Sequence, residues 1–165
     1  MERALQDILK VHCYGCGALN EQGLQIKSFW AGDEVICTWR PKPHHIGHPG
    51  ILYGGMIASV VDCHCIWTAS AHAHRRAGIE MDGTPRFHHV TAALQINYRK
   101  PVPIEQPIQL RAQVVESGER KSIVKCTVTA DGVLCADAEL VAVRMRSEAT
   151  AAETAVVQSA VVQTN

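Results

Sequence analysis

The sequence predicts an α+β fold, an antiparallel β-sheet wrapped around one long helix. Three observations carry that expectation. From Met56 to Ala73 there is no Gly or Pro, and Ile57, Val60, Val61, His64, Thr68 and Ala71 recur at the spacing of one helix face. Nearly every other long stretch alternates with the two-residue period of a strand. The order is short helix, two strands, long helix, four strands, and a helix in that setting buries its stripe by lying on the sheet.

Taken in order, residues 2–11 read as a short amphipathic helix and residues 12–24 as a glycine-punctuated loop. Residues 24–30 and 34–40 read as strands joined by the turn Ala31-Gly32-Asp33. Residues 41–53, rich in Pro, Gly and His, read as a loop. The long helix starts at the pair Gly54-Gly55 and frays near residues 74–78, and Gly83 and Pro85 mark residues 79–88 as a further loop. A strand at 90–98 is closed by Pro101 and Pro103. Three more strands, 108–116, 122–130 and 133–145, are joined by Ser117-Gly118-Glu119-Arg120 and by Asp131-Gly132, the stronger hairpin signal. The expected domain is residues 1–146. In the tail, 147–165, Val156, Val157, Ala160 and Val161 share a helical face, so a C-terminal helix is expected.

The 165 residues suffice for one domain with a core of its own. Sixteen Lys and Arg balance sixteen Asp and Glu with no basic or acidic block, which argues against nucleic acid as a partner. Seven cysteines, an odd number, and the lack of a signal-peptide pattern suggest a reduced, cytoplasmic setting. No apolar run reaches the roughly 20 residues of a membrane span.

Chemistry concentrates at the long helix. A glycine pair at its start leaves backbone N–H groups unshielded at the positive end of the helix dipole. Asp62 lies two turns further in, and its neighbours on the wheel, Gly55, Ala58, Ser59, Ile66, Ala69 and Ala73, are small or apolar, so that face is expected to be packed. A carboxylate there needs a partner or a task. Bare N–H donors with a helix-borne carboxylate suit attack on a carbonyl. His45 and His48 stand in the loop before the helix and are candidates for substrate contact, His48 the better placed because it is nearer the helix entrance. Cys13 and Cys16 suggest zinc, but a structural site needs four ligands and there is no second Cys-x-x-Cys. Cys63, His64 and Cys65 point about 100° apart on a helix and do not converge on one ion, so no metal is expected. Nothing in the sequence marks Cys63 or Cys65 as an activated thiol.

Three stretches and the order of the strands resemble one family. His45-x-Gly47-x-Pro49-Gly50-x-x-Tyr53-Gly54-Gly55-x6-Asp62 and the order of elements resemble the PaaI-type hotdog thioesterases, the group that includes the THEM enzymes. Cys13-x-x-Cys16-Gly17-x-x-Asn20-x-x-Gly23-Leu24 resembles an N-terminal signature of many members. Thr91-Ala92-Ala93-Leu94-Gln95-Ile96-Asn97-Tyr98-Arg99-Lys100-Pro101-Val102 resembles the strand after the helix, and the strand order to Met145 fits. The resemblance spans about residues 12–146 and implies an acyl-CoA thioesterase with no cofactor beyond the coenzyme A of its substrate. It implies Gly54 N–H, with Gly55, as oxyanion donor to the thioester carbonyl, and Asp62 as general base on water or as nucleophile.

One departure stands out. The family usually has His before the glycine pair, and here it is Tyr53, whose phenol also donates a hydrogen bond but titrates far higher. Arg99 and Lys100, with Arg86 and His88 as helpers, are expected at the phosphates of coenzyme A, which the fork of Arg suits. Trp30, Trp39, Trp67 and Phe87 are candidates for an aryl-accepting pocket. The family implies a homodimer with shared sites, or a dimer of dimers. The competing readings are a non-catalytic hotdog that binds acyl-CoA or another apolar ligand, kept open by Tyr53, and a hydratase. The hydratases pair their Asp with a His five residues on, where this chain has Trp67.

Overall fold

The computed structural model describes residues 3–84 and 86–145. Strands β1 (Ser28–Ala31) and β2 (Glu34–Trp39) precede a short 3-10 turn, Pro43–His45, and a small hairpin of β3 (Ile46–His48) and β4 (Ile51–Leu52). Helix α2 (Gly54–Arg76) follows, then β5 (His89–Tyr98), β6 (Ile108–Ser117), β7 (Lys121–Ala130) and β8 (Val133–Arg144). Six strands form one antiparallel sheet in the order β1-β2-β6-β7-β8-β5. Helix α2 lies across it, touching β5, β6, β7 and β8.

The alternation read in the sequence is the alternation of the faces. On β6, β7 and β8 the buried Ile108, Leu110, Val124, Val128, Ala138 and Leu140 point to the helix, and their neighbours along each strand are exposed or half-buried. The helix answers with Ile57, Val60, Val61, Cys65 and Ala69, all buried. Small residues at Ala136, Ala138 and Ala142 let it lie close to the sheet.

One polar chain crosses this interface. His64 is fully buried, with Nε2 3.1 Å from the Val35 carbonyl and Nδ1 2.8 Å from Ser28 Oγ. A carbonyl only accepts, so Nε2 carries the proton and Nδ1 accepts from the Ser28 hydroxyl. Ser28 Oγ in turn accepts from Gln6 Nε2 at 2.8 Å, and Gln6 Oε1 accepts from Ser28 N at 2.7 Å. Helix α1 (Leu5–Ile8), β1, α2 and β2 are thereby joined at one point.

Three differences from the sequence expectation have physical causes. The N-terminal helix is four residues long rather than spanning residues 2–11, because the chain extends from Leu9 onward to run over α2. The loop at 41–53 contains the 3-10 turn and the β3–β4 hairpin, elements of two or three residues that show no periodicity. The first strand starts at Ser28 rather than at residue 24, since Gln25 takes a positive φ of 53°. The tail at 147–165, expected to be helical, lies outside the described residues.

The interior is acid-labile. Burial holds His64 and His89 at pKa values of about 4, below the ordinary 6.5. Between those values the unfolded chain binds protons that the folded chain refuses, so acid favours unfolding. Their stabilising contribution is complete above about pH 6.5 and is lost as the pH falls through about 4. The melting temperature is expected to fall steadily from pH 7 to pH 4.5 in scanning calorimetry. A flat profile over that window would contradict the buried neutral state of these imidazoles.

Candidate active site

The start of α2 is open. Tyr53 is its N-cap residue, but its side chain makes no capping hydrogen bond. Gly54 and Gly55 are the first two helical residues, so their N–H groups have no acceptor within the helix. The Tyr53 ring lies over Gly55, where an added Cβ would stand 2.4 Å from Tyr53 Cε1, so any side chain at 55 would push the ring away. Tyr98 of β5 flanks Gly54 and its hydroxyl donates to the Gly54 carbonyl at 2.9 Å. Both phenols are exposed, at 56% and 54%. The Tyr53 hydroxyl and the glycine N–H groups form a donor-rich surface at the positive end of the helix, while the Tyr98 hydroxyl is spent on the Gly54 carbonyl.

Asp62 stands two turns into α2. It is half-buried, and its Oδ1 accepts a hydrogen bond from the hydroxyl of Thr91 on β5. The packed environment expected for it is only partly present. The sheet covers the opposite side of the helix; Ala69 is fully buried as expected, but Gly55, Ala58, Ser59, Ile66 and Ala73 are half-buried, leaving a stripe of mostly small residues partly open. Asp62 and Thr91 line a cavity of about 420 Å³ whose walls include Ile8 and Leu9, Ile66 and Trp67 of α2, and Met81 and Phe87.

His88 lines the same cavity. Its Nε2 is buried and has no hydrogen-bond partner among the described residues. Burial, then the nearby His74, pushes its pKa below the ordinary value. It therefore presents a neutral imidazole to an apolar chamber.

Three thiols also meet at this cavity, Cys13, Cys16 and Cys63. Cys13 is held well below the usual thiol range, first by S–H donation from Cys16 and Cys63. Cys16, which donates to Cys13, is pushed up to about 11, and Cys63 is pushed up by the same contacts and by burial.

The expected site residues thus divide. Tyr53, Gly54 and Gly55 gather at the helix start, and Asp62 and His88 at the cavity. His45 is a packing residue: it is 5% exposed, its ring stacks on Trp39 at 5.2 Å, and its Nδ1 accepts from the Lys42 backbone N–H at 3.0 Å. That burial leaves little of the His45 ring for the substrate contact expected of it. His48 and Lys100 are exposed, and neither lines the cavity. Arg99 is exposed and its guanidinium is paired with Asp137, which raises its pKa. Arg86 pairs with Asp82 at 2.8 Å. Of the four aromatics, Trp67 and Phe87 line the cavity. Trp39 is in the core with its indole N–H on the Leu24 carbonyl at 2.8 Å, and Trp30 is covered by Arg75, 3.4 Å from the ring centroid. Thr91 and Tyr98 carry no local signal of a role, since strand register alone brings them to Asp62 and Gly54.

A sheet wrapped around one long helix defines the hotdog class. The Thioesterase superfamily profile matches residues 49–136, more than half of the chain, and the protein belongs to that superfamily. A thioesterase superfamily protein from Shewanella loihica is 37% identical, with a TM-score of 0.64 over 82% of this chain and 96% of that one. The PaaI protein of E. coli shares the fold at 14% identity, with a TM-score of 0.61 over 74% of this chain and 81% of that one. The acyl-coenzyme A thioesterase THEM4 of Rattus norvegicus is 32% identical over 98 residues, 59% of this chain and 36% of the relative. The match to THEM4 of Bos taurus, at 26% identity, covers 64% of this chain and 39% of the relative. The chain therefore matches little more than a third of the length of these curated relatives.

Proposed function

We propose that the protein is an acyl-CoA thioesterase. The observation that carries this reading is the pairing, on one helix, of uncapped glycine N–H donors with a carboxylate that lines a largely apolar cavity. The thioester carbonyl accepts from the N–H of Gly54, aided by Gly55 and the Tyr53 hydroxyl. The negative oxygen that forms on attack is stabilised there by preorganised donors and the helix dipole. Asp62, oriented by the Thr91 hydroxyl, takes the proton of the attacking water, and the thiol of coenzyme A leaves. The acyl or aryl group enters the cavity, whose about 420 Å³ lies in the range of small-molecule sites. Coenzyme A stays outside. Arg99 and Lys100 reach its phosphates only if Arg99 exchanges Asp137 for them, and His48 and Arg86 are further surface candidates.

The reading requires two chains. A helix rises about 1.5 Å per residue, so Gly54 and Asp62 are about 12 Å apart along the axis. A carbonyl on Gly54 N–H is then beyond a water held by the same chain's Asp62, since proton transfer needs about 3 Å or one bridging water. Two antiparallel helices, side by side, bring the start of each to the middle of the other. The half-open stripe at Ala58, Ser59 and Ala73 supports that approach. So does β5, an edge strand of ten residues exposed along most of its length. Each site of the homodimer takes Tyr53 and Gly54 from one chain and Asp62 from its partner, with two equal sites by symmetry.

Asp62→Asn is expected to lower hydrolysis by about a hundred- to ten-thousand-fold while acyl-CoA binding and the fold persist. Release of free thiol from a series of acyl-CoAs reads this, and near-normal turnover would remove Asp62 from the mechanism. Tyr53→Phe is expected to lower kcat modestly, and Tyr53→His to equal or exceed the parent. A Tyr53→Phe enzyme identical to the parent in kcat and KM would reduce Tyr53 to packing. Shared sites also predict complementation. A dead Asp62→Ala chain mixed with a dead Gly54→Pro chain, which lacks the donor N–H, regains one working site of two in mixed dimers. Subunit exchange without recovered activity would sink the shared site.

A further inference from the structure

The cluster of Cys13, Cys16 and Cys63 has no part in the hydrolysis described above. Its three Sγ atoms lie within 4.8 Å of one another, and Cys13 Sγ is 3.7 Å from Cys63 Sγ. Two thiolates bound to one ion at about 2.3 Å, with a tetrahedral angle between them, stand about 3.8 Å apart. Cys13 and Cys63 are thus already at the spacing of co-ligands with Cys16 close by, and all seven cysteines are free.

The surroundings are built to hold this arrangement. Cys13 and Cys16 lie on a tight turn closed by the Gly17 N–H on the Cys13 carbonyl at 2.8 Å. Gly15, between them, sits against Cys63, where a Cβ would be 2.3 Å from Cys63 Sγ, so only glycine lets the turn reach the helix. Trp67, one turn after Cys63, donates its indole N–H to Cys16 Sγ at 3.0 Å. A hydrogen bond from an outer residue to a ligating sulfur is a usual companion of metal sites. Cys16 and Cys63 are buried, and Cys13 is exposed, which gives an entry path.

We propose that Cys13, Cys16 and Cys63 form a three-thiolate site for a thiophilic d10 cation, Zn(II) or Cu(I), at the wall of the cavity. Soft thiolates select these ions. Cu(I) is satisfied by three sulfurs, whereas Zn(II) takes a fourth ligand, a water in the position left open. Binding releases the thiol protons and leaves the sulfurs unoxidised. The ion staples the loop carrying Cys13 and Cys16 to the middle of α2, one residue from Asp62, and so fixes one wall of the chamber.

The test uses the full chain, purified in reducing buffer, freed of metal and checked for free thiols. Zn(II) is titrated in competition with a chromophoric chelator, Cu(I) in competition with a Cu(I)-specific chelator, and Co(II) serves as a spectroscopic probe for zinc. One equivalent per chain is expected for Zn(II) or Cu(I), and either supports the site. For the zinc arm, Co(II) shows thiolate charge-transfer bands and the intense visible bands of a four-coordinate ion. Cys13→Ser, at an exposed position that leaves the core intact, and Cys63→Ser each weaken binding by more than the roughly ten- to hundredfold that loss of an outer-shell partner costs. Cys37→Ser and Cys135→Ser, remote from the cluster, leave it unchanged. The proposal is overturned if the reduced chain binds neither ion, if binding survives both Cys13→Ser and Cys63→Ser, or if mass spectrometry finds Cys13 and Cys16 joined as a disulfide in the reduced preparation.

Discussion

His64 is the polar point on which the helix-to-sheet interface turns. Its two nitrogens are fully used, one on the Val35 carbonyl of β2 and one on Ser28 of β1. A buried imidazole left with one unmatched nitrogen costs about 1–3 kcal/mol, so rotation or sliding of α2 is penalised beyond the loss of apolar contact. Hydrophobic burial drives the helix onto the sheet without fixing its register, because apolar contact is non-directional. The hydrogen bonds of His64 are directional and set which turn of α2 faces which strand. Position and chemistry are therefore linked on one rigid element. Gly54, Asp62 and Cys63 keep fixed separations because they share α2, and α2 keeps its place because His64 is satisfied in only one place.

The same network reaches the cavity from the other side. Gln6 is fully buried and exchanges two hydrogen bonds with Ser28, which holds α1 against β1. Ile8 and Leu9 follow directly and form part of the cavity wall. A segment of four helical residues is far too short to persist alone in water. It is ordered because tertiary contacts support it. The chamber thus rests on Gln6, Ser28 and His64, residues that line none of it.

What was legible in the sequence follows the range of the interactions involved. The long strands and α2 announced themselves through periodicity, since each has one face on the core. Asp131-Gly132 marked its hairpin because positive φ values, 49° and 73°, are needed at both positions. The β3–β4 hairpin was not legible, because strands of three and two residues have no period. Nor was the role of His45, whose burial comes from stacking on Trp39. At the site, the glycine pair and Asp62 were visible from their place on one helix. Thr91 and Tyr98 came to it through the placement of β5 beside α2, which no local pattern encodes. The thiols show the same limit: Cys13-x-x-Cys16 and Cys63 each lack a ligand set locally, and only the fold brings residues 50 apart in the chain to 3.7 Å.

The separation along α2 also bears on why the two kinds of group sit about two turns apart on one helix. An oxyanion donor must be near water-free backbone, and a base must reach water. Placing both on one helix start would let the carboxylate cancel the positive dipole that makes the glycine N–H groups effective. At about 12 Å along the axis Asp62 lies beyond the first turn, where the dipole's effect falls off, so it does not cap its own helix start. The benefit is lost unless a second copy restores proximity, and the surface for that copy is the half-open stripe of small residues beside Asp62 and the long free edge of β5. The spacing that makes a single chain's site incomplete is thus the reason the proposed site is symmetric, since each half of the pair lacks what the other supplies.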